Sequence, residues 1–266
     1  MWIENSVFAR LTGYKYFNLL QVRDGSTVTN CVFSDSKASY SAVCVGNGES
    51  SFADCVFSNI DSAETVTSEA LCDRCVFRNC SQVYFRTTPR VIRNSLFEKS
   101  NVFWLFDANN KTGSFENCTF VGNPSVVSFY KSTNSVVALV NCILQGGGGN
   151  SHASIDTAGS DCALVYTNCL VDAFKSTKVP YTAQGCKVGV DPQFVDAAGG
   201  DYRLRRKSPC VDSAQRLDWM AEATDLGGSA RVATKGRSLA KDPSALPDIG
   251  CYENQEAPPG LILVVR

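Results

Sequence analysis

A short motif that recurs eight times constrains this chain more than any other feature. Each copy reads polar residue, small residue, any residue, bulky apolar residue, and successive copies begin 20 to 27 residues apart. The copies begin at Asn5, Asn30, Asp54, Arg74, Asn94, Asn117, Asn141 and Asn168. A period of this length predicts a solenoid, in which each unit buries its apolar side against its neighbours.

The contents of the units favour a parallel β-helix over a leucine-rich repeat, which has a similar period. No unit carries the leucine spacing, whereas runs of β-branched and aromatic residues such as 126–130 and 135–140 alternate with Gly, Asn, Ser and Asp. Such runs are typical of strands separated by turns. The sequence therefore predicts an all-β fold, a parallel β-helix (solenoid) of about eight coils. Coils stacked about 4.8 Å apart would make a rod on the order of 40 Å long.

Stacking of like residues predicts three interior columns. The small and the bulky residue of the motif lie two apart, so both face the same way on a strand, while the polar residue precedes them at a bend. The bulky column is Phe8, Phe33, Phe57, Phe77, Phe97, Phe120, Leu144 and Val171, and the small column is Ser6, Cys31, Cys55, Cys75, Ser95, Cys118, Cys142 and Cys169. The third column is a ladder of the polar residues, in which Asp54 and Arg74 replace asparagine and are expected to pair.

The 13 cysteines are mostly explained by this repeat, because six of them occupy the small column. Serine replaces cysteine there in two copies, which favours thiols packed as small side chains, with strained bridges between adjacent coils as the alternative. The odd total implies at least one free or intermolecular thiol. Cys72, Cys75 and Cys80 lack the ligands that would complete a zinc site. His152, the one histidine, is expected in a loop rather than as a catalytic base.

The charge balance excludes a general attraction for nucleic acid or acidic membranes, because 25 basic and 26 acidic residues give a net charge of −1. The apolar tail 261–265 is too short for a transmembrane segment and is expected to form a last strand. The N-terminus enters the first repeat at once, with no signal peptide and no cap. We therefore expect the natural protein to be longer at this end, or the chain to be a fragment, with an exposed strand edge.

After Val171 the repeat fades and a series of new landmarks begins. They are 191–196, 200–204, 208–212, 225–228 with Arg231, and 248–253. Together with the repeats, they resemble the bacterial right-handed parallel β-helix repeat proteins of the pectate-lyase-like superfamily that end in a choice-of-anchor Q type module. The resemblance implies right-handed coils in residues 1–185 and, in residues 186–266, an irregular β-rich capping or anchor-like module packed on the helix end. It also implies a secreted or cell-surface location.

Within this module, Cys210 and Cys251 stand where the resembled family often has alanine. This favours tight sites for small residues, with a disulfide between the two as the alternative. Asp225 and Asp248 are expected to order turns and to pair with Arg231. No cofactor is predicted, and calcium at 225–227 is the weaker alternative.

A candidate binding face comes from aligning the segments 83–86, 103–106 and 127–130, which follow three copies of the motif. In this alignment Val83, Phe103 and Val127 form one interior column, and Phe85, Leu105 and Phe129 form another. The side chains that then point outward predict a glycan-binding strip, because aromatic faces stack on sugars and charged groups bind hydroxyls or uronates. The strip comprises Tyr84, Arg86, Trp104, Asp107, Tyr130 and Lys131. Two alternatives stay open: a loop through 109–113 covers the strip, or the register is wrong by one residue and the aromatics lie inside.

The sequence predicts a protein that binds a polysaccharide or cell-surface glycan, in an adhesive or structural role and without catalysis. The alternative is a polysaccharide lyase or glycoside hydrolase that acts on an acidic polysaccharide. A lyase would use Arg86 or Lys131 as its base, but no cluster of acidic residues recurs on adjacent coils to neutralise a uronate. No catalytic residue can therefore be assigned from the sequence.

Overall fold

The structure is a computed structural model, and it describes residues 2–13, 21–22, 25–46, 50–67, 71–86, 91–105, 110, 112–130, 132–147, 153–156, 161–174, 179–232 and 246–254. In these residues the chain is an all-β parallel solenoid, as the repeat predicts. One short 3₁₀ helix, Asp218–Ala221, is present. No helix among the described residues is long and apolar enough to cross a membrane.

Two long parallel sheets run the length of the solenoid, and strands are numbered in chain order. Sheet 1 contains β1 (Trp2–Glu4), β5 (Thr27–Thr29), β7 (Ser51–Ala53), β9 (Leu71–Asp73), β12 (Val91–Arg93), β15 (Thr112–Glu116), β18 (Val136–Val140), β21 (Ala163–Thr167) and β23 (Tyr181–Gln184). Sheet 2 contains β2 (Val7–Ala9), β6 (Val32–Gly46), β8 (Val56–Thr67), β10 (Val76–Cys80), β13 (Leu96–Glu98), β16 (Thr119–Val121), β19 (Ile143–Gln145), β22 (Leu170–Val171) and β24 (Lys187–Val188). The short strands β3 (Thr12–Gly13) and β4 (Gln21–Val22) also pair with β6.

A third, shorter sheet closes the middle of the solenoid. Sheet 3 contains β11 (Val83–Arg86), β14 (Val102–Leu105), β17 (Val127–Tyr130) and β20 (Ala153–Asp156). The described residues thus form about 4 turns with a strand on all three sides, and the prediction of about eight coils is corrected accordingly. Strand pairing in sheets 1 and 2 continues beyond these turns, which is why the motif recurs more often than sheet 3 has strands.

The bulky column is confirmed. Six phenylalanines stack face to face inside sheet 2, with ring centroids 4.7–4.9 Å apart and ring planes within 8° of parallel. Phe115, which enters from sheet 1, meets the Phe97 and Phe120 rings nearly edge-on. This spacing equals the spacing of paired strands, so the stack follows directly from the in-register pairing of the motifs.

The small column is also confirmed as a row of buried, free thiols that face the interior. The Sγ of Cys142 lies 3.3 Å from the carbonyl oxygen of Val140, two residues earlier, and 3.3 Å from that of Phe115 in the preceding coil. Ser95 replaces the thiol with a hydroxyl that donates to Arg93 O at 2.6 Å. The position therefore selects a small side chain that can donate to the carbonyl groups at the bend, which both cysteine and serine provide.

The polar ladder differs from the prediction because it lies on the outside of the solenoid. Asn5 and Asn30 are exposed, and Asn30 Nδ2 donates to Asn5 Oδ1 at 2.6 Å. The predicted pair is confirmed: the Arg74 guanidinium donates to both carboxylate oxygens of Asp54, at 2.7 and 2.9 Å. The ladder residues have φ between 50° and 54°, a left-handed conformation that asparagine tolerates better than most residues. The left-handed backbone conformation at the corner, rather than burial, therefore explains the asparagines of the ladder.

The C-terminal module packs along sheet 2, on the side of the solenoid. Its apolar residues bury the outward-facing Leu96, Ile143 and Leu170 of sheet 2 in a second core. The members of this core from the module are Phe194, Tyr202, Leu204, Cys210, Ala214, Ile249 and Cys251. The antiparallel pair β25 (Phe194–Asp196) and β26 (Asp201–Leu204) is part of this packing layer.

Polar contacts attach the module to the ladder, and they bury three of its asparagines. Asn94 Oδ1 accepts a bond from Arg231 Nε at 2.8 Å, and Asn117 Nδ2 donates to Asp248 O at 3.0 Å. Asn141 exchanges two bonds with the backbone of Gln215. The module therefore buries this part of the ladder, and the burial is tolerated because each of the three amides forms a hydrogen bond with the module.

Replacing Phe97 with alanine should destabilise the protein by about 3–5 kcal/mol, because Phe97 is fully buried between two stacked rings. Urea denaturation measures the change in the free energy of unfolding. Phe8→Ala is the matched control and should cost clearly less, because Phe8 ends the stack and is only half-buried. A loss below about 1 kcal/mol for Phe97→Ala would contradict the packing described.

Arg231 and Glu253 form a fully buried ion pair at 2.9 Å, so removing one partner should leave the other charge buried without a counter-charge. We expect Arg231→Met to destabilise the protein by about 3–5 kcal/mol, and Arg231→Met combined with Glu253→Gln to recover a large part of that loss. Tryptophan fluorescence during urea denaturation provides the measurement. Arg203→Met should change little, because its pair with Asp201 is exposed. Additive effects of the two core substitutions would show that the pair is not coupled.

Candidate functional site

The strands of sheet 3 bring part of the predicted strip together: 83–86 and 127–130 align as predicted, but β14 lies one residue away from its predicted alignment. Val83 pairs with Val102, not with Phe103, and Phe85 pairs with Trp104. Phe85 is almost completely buried. Trp104 therefore shares its register position with a core residue, and the prediction that places it beside Tyr84 is wrong. The register of β14 therefore differs by one residue from the predicted alignment.

Two register positions of sheet 3 alternate with buried positions along its strands. The neighbours of these positions are buried: Val83, Phe85, Val102, Val127 and Phe129. The first of these positions is occupied by Tyr84 and Phe103. The second is occupied by Arg86, Leu105, Tyr130 and Asp156 in successive strands. An aromatic residue, a cation and a carboxylate thus share one row across the sheet, and Asp156 was missed by the sequence analysis.

Other predicted residues lie outside the described residues. Asp107 and Lys131 of the strip are among them, as are His152 and the tail 261–265. Of the loop 109–113, which is the alternative cover for the strip, the structure describes 110, 112 and 113. Their roles remain predictions.

The acidic residues of the C-terminal module order its turns, as expected. Asp225 is buried, and its two carboxylate oxygens accept backbone bonds from Ser229 and Glu253, both at 2.6 Å. Asp248 likewise accepts bonds from the backbone N–H groups of Asp212 and Asn254. The fully buried partner of Arg231 is Glu253, a residue that the sequence analysis did not single out.

Cysteine and carboxylate groups are the candidate metal ligands of this chain. Across the described part of the chain, no group of three or more His, Cys, Asp or Glu residues is arranged to hold a metal ion. Cys210 and Cys251 are free and buried in the second core, where the sequence analysis favoured small side chains. Burial raises the pKa of both thiols to about 12.

A cleft that the sequence did not predict lies where the module meets sheet 2. Its volume is about 400 Å³, and it is lined by Gln145 of β19 and by Asp191, Pro192, Gln193, Phe194, Ala197 and Arg205. The Oε1 atom of Gln145 is buried and has no hydrogen-bond partner. Gln193 adopts a positive φ of 54°, and its N–H donates to Asp191 Oδ1 at 2.8 Å, which fixes the turn on one wall.

Comparisons with known proteins add little to this picture. No protein-family model and no functionally curated protein matches the chain. Two solved structures of QnrB1, a plasmid-mediated fluoroquinolone resistance protein, show some similarity. The full-length form is 11% identical, with a TM-score of 0.18, and the match covers 71% of this chain and 93% of that chain. A trypsin-treated form is 14% identical, with a TM-score of 0.19, and the match covers 69% and 90%. Similarity at such TM-scores supports no inference about function.

The raised thiol pKa values predict that stability falls with pH above about 9, where thiols of the unfolded chain ionise. Because Cys210 and Cys251 stay protonated in the folded state up to about pH 12, unfolding releases protons in this window and becomes easier as pH rises. Each thiol contributes a slope of about 1.4 kcal/mol per pH unit. Urea denaturation across the window measures it. The double variant Cys210→Ala, Cys251→Ala should show a shallower slope, and an unchanged slope would contradict the assignment.

Proposed function

We propose that this protein is a noncatalytic solenoid that binds a polysaccharide or cell-surface glycan on the outer face of sheet 3. The observation that carries the proposal is the row formed by Arg86, Leu105, Tyr130 and Asp156, which the strand pairing aligns across the sheet. A tyrosine provides an apolar face for a sugar ring, and the charged groups provide a donor and an acceptor for hydroxyl groups. Tyr84 and Phe103 add a second aromatic row beside the first.

The interior of the solenoid supports this role by making sheet 3 a rigid platform. Val83, Phe85, Val127 and Phe129 are buried beneath it, and the Phe85 ring packs edge-on against Phe77, Phe97 and Phe115. Because binding to a rigid surface orders few side chains, more of the contact energy is retained as affinity. The proposed ligand is a glycan chain long enough to cross several strands, each about 4.8 Å from the next.

The proposal also covers the handedness of the coils, the family of the protein and its cellular location. We infer right-handed coils, because crossover connections between parallel strands are right-handed in about 98% of cases. The C-terminal landmarks support kinship with the pectate-lyase-like β-helix repeat proteins that carry a choice-of-anchor Q type module. An extracellular or cell-surface location follows from that resemblance and from the proposed ligand.

The test is a binding panel of acidic and neutral polysaccharides with the purified chain, in which bound protein is measured by pull-down with insoluble glycans. We expect binding, and at least about tenfold weaker binding for Tyr130→Ala and Arg86→Ala, if each removes a contact of about 1.4 kcal/mol. Tyr181→Ala is the matched control, because Tyr181 is an exposed tyrosine of sheet 1.

Three results would contradict the proposal. The first is no binding to any glycan of the panel, and the second is unchanged binding by both sheet 3 variants. The third is the appearance of unsaturated products or new reducing ends during incubation, which would reveal a lyase or a hydrolase.

A further inference from the structure

The strongest unexplained feature outside sheet 3 is the cleft between β19 and the segment 191–197. Its two walls come from different parts of the fold, because Gln145 belongs to the solenoid and the other residues belong to the module. Its volume of about 400 Å³ lies within the range of small-molecule sites. The cleft therefore has the dimensions for one sugar ring.

The solenoid wall of the cleft comes from Gln145, a residue that has an unsatisfied acceptor. The amide oxygen of Gln145 is buried without a partner, although nearly all buried polar atoms in folded proteins are hydrogen-bonded. Leaving such an atom unpaired is unfavourable. A ligand donor that bonds to it therefore contributes more binding free energy than a donor that bonds to a surface acceptor. The Gly122 N–H donates to the backbone carbonyl of Gln145, so this bond does not involve the Gln145 side chain.

The module wall supplies complementary groups. Arg205 directs Nε and Nη2 to the carbonyl oxygens of Phe194 and Val195, at 3.0 and 2.6 Å, which fixes the guanidinium in place without a carboxylate partner. Asp191 uses Oδ1 for the Gln193 N–H and retains Oδ2. The wall therefore combines a cation, an acceptor and the apolar surfaces of Pro192 and Phe194.

We propose that this cleft binds a single neutral sugar residue with adjacent hydroxyl groups. The hydroxyls would donate to Gln145 and Asp191 and accept from Arg205, and the ring would lie against Pro192 and Phe194. A neutral ligand fits best because the one cation and the one carboxylate of the cleft balance. The inference rests on the proposed function in the sense that the ligand is again a carbohydrate, but it assigns a second site on a different sheet.

The experiment is saturation-transfer difference NMR of the full chain with methyl glucoside, methyl galactoside and methyl mannoside, and with galacturonate as the charged comparison. We expect transfer to at least one neutral glycoside. Gln145→Met should weaken that binding about tenfold, because it removes the acceptor and keeps the volume. The same variant should leave the melting temperature unchanged or raise it, since it removes an unpaired buried atom. Gln184→Met is the matched control, because Gln184 is exposed on β23.

The outcomes separate this inference from the proposed function. No transfer to any neutral glycoside, stronger binding of galacturonate, or full binding by Gln145→Met would overturn the cleft assignment. Each of these results is compatible with glycan binding at sheet 3, which the polysaccharide panel tests on its own. Conversely, loss of glycoside binding in Gln145→Met but not in Gln184→Met would support the cleft even if Tyr130→Ala and Arg86→Ala retained polysaccharide binding.

Discussion

At the end of each strand of sheet 1 the backbone enters the left-handed region, and the register of the whole solenoid depends on that corner. Asparagine occupies it in most coils, with φ near 50°, because its short polar side chain makes this conformation accessible. The corner fixes which residue begins the next strand of sheet 2. Once that residue is fixed in every coil, the cysteines of neighbouring coils stack on one another, and so do the phenylalanines.

The same ladder also decides where the C-terminal module attaches. On the exposed coils, the side chains of Asn5 and Asn30 bond to each other, whereas Asn94, Asn117 and Asn141 serve as polar anchors for the module. These anchors lie beside the buried Leu96 and Ile143, so the docking surface combines directional bonds with apolar area. The fully buried pair of Arg231 and Glu253 adds little net stability over an apolar pair, because its desolvation offsets much of its attraction.

The sequence was sufficient for the interior and insufficient for the surfaces. The columns of phenylalanine and cysteine and the pair of Asp54 with Arg74 follow from the motif itself, since in-register pairing repeats every residue of it. Sheet 3 could not be aligned in this way, because the connection from the phenylalanine to the next strand varies in length: Phe77 leads to Val83, Phe97 to Val102 and Phe120 to Val127. Both Val102 and Phe103 are apolar, so nothing local distinguishes the correct register from the wrong one.

Local sequence patterns also could not predict the position of the module. Its anchors join residues far apart in the chain, such as Arg231 with Asn94 and Cys251 with Thr119, and no spacing predicts such contacts. The cleft at Gln145 arises only from this docking, which is why no motif pointed to it.

Lateral docking also determines how the two proposed sites could act together. One lies on the outer face of sheet 3 and the other on the outer side of sheet 2, so a straight glycan segment cannot occupy both. Two weak sites held at a fixed separation on one solenoid still raise the effective concentration of a branched or flexible glycan that reaches around the corner. The gain depends on rigidity, and the continuous stack of six phenylalanines from Phe8 to Phe120 provides it, because bending the solenoid would separate rings that now lie in contact.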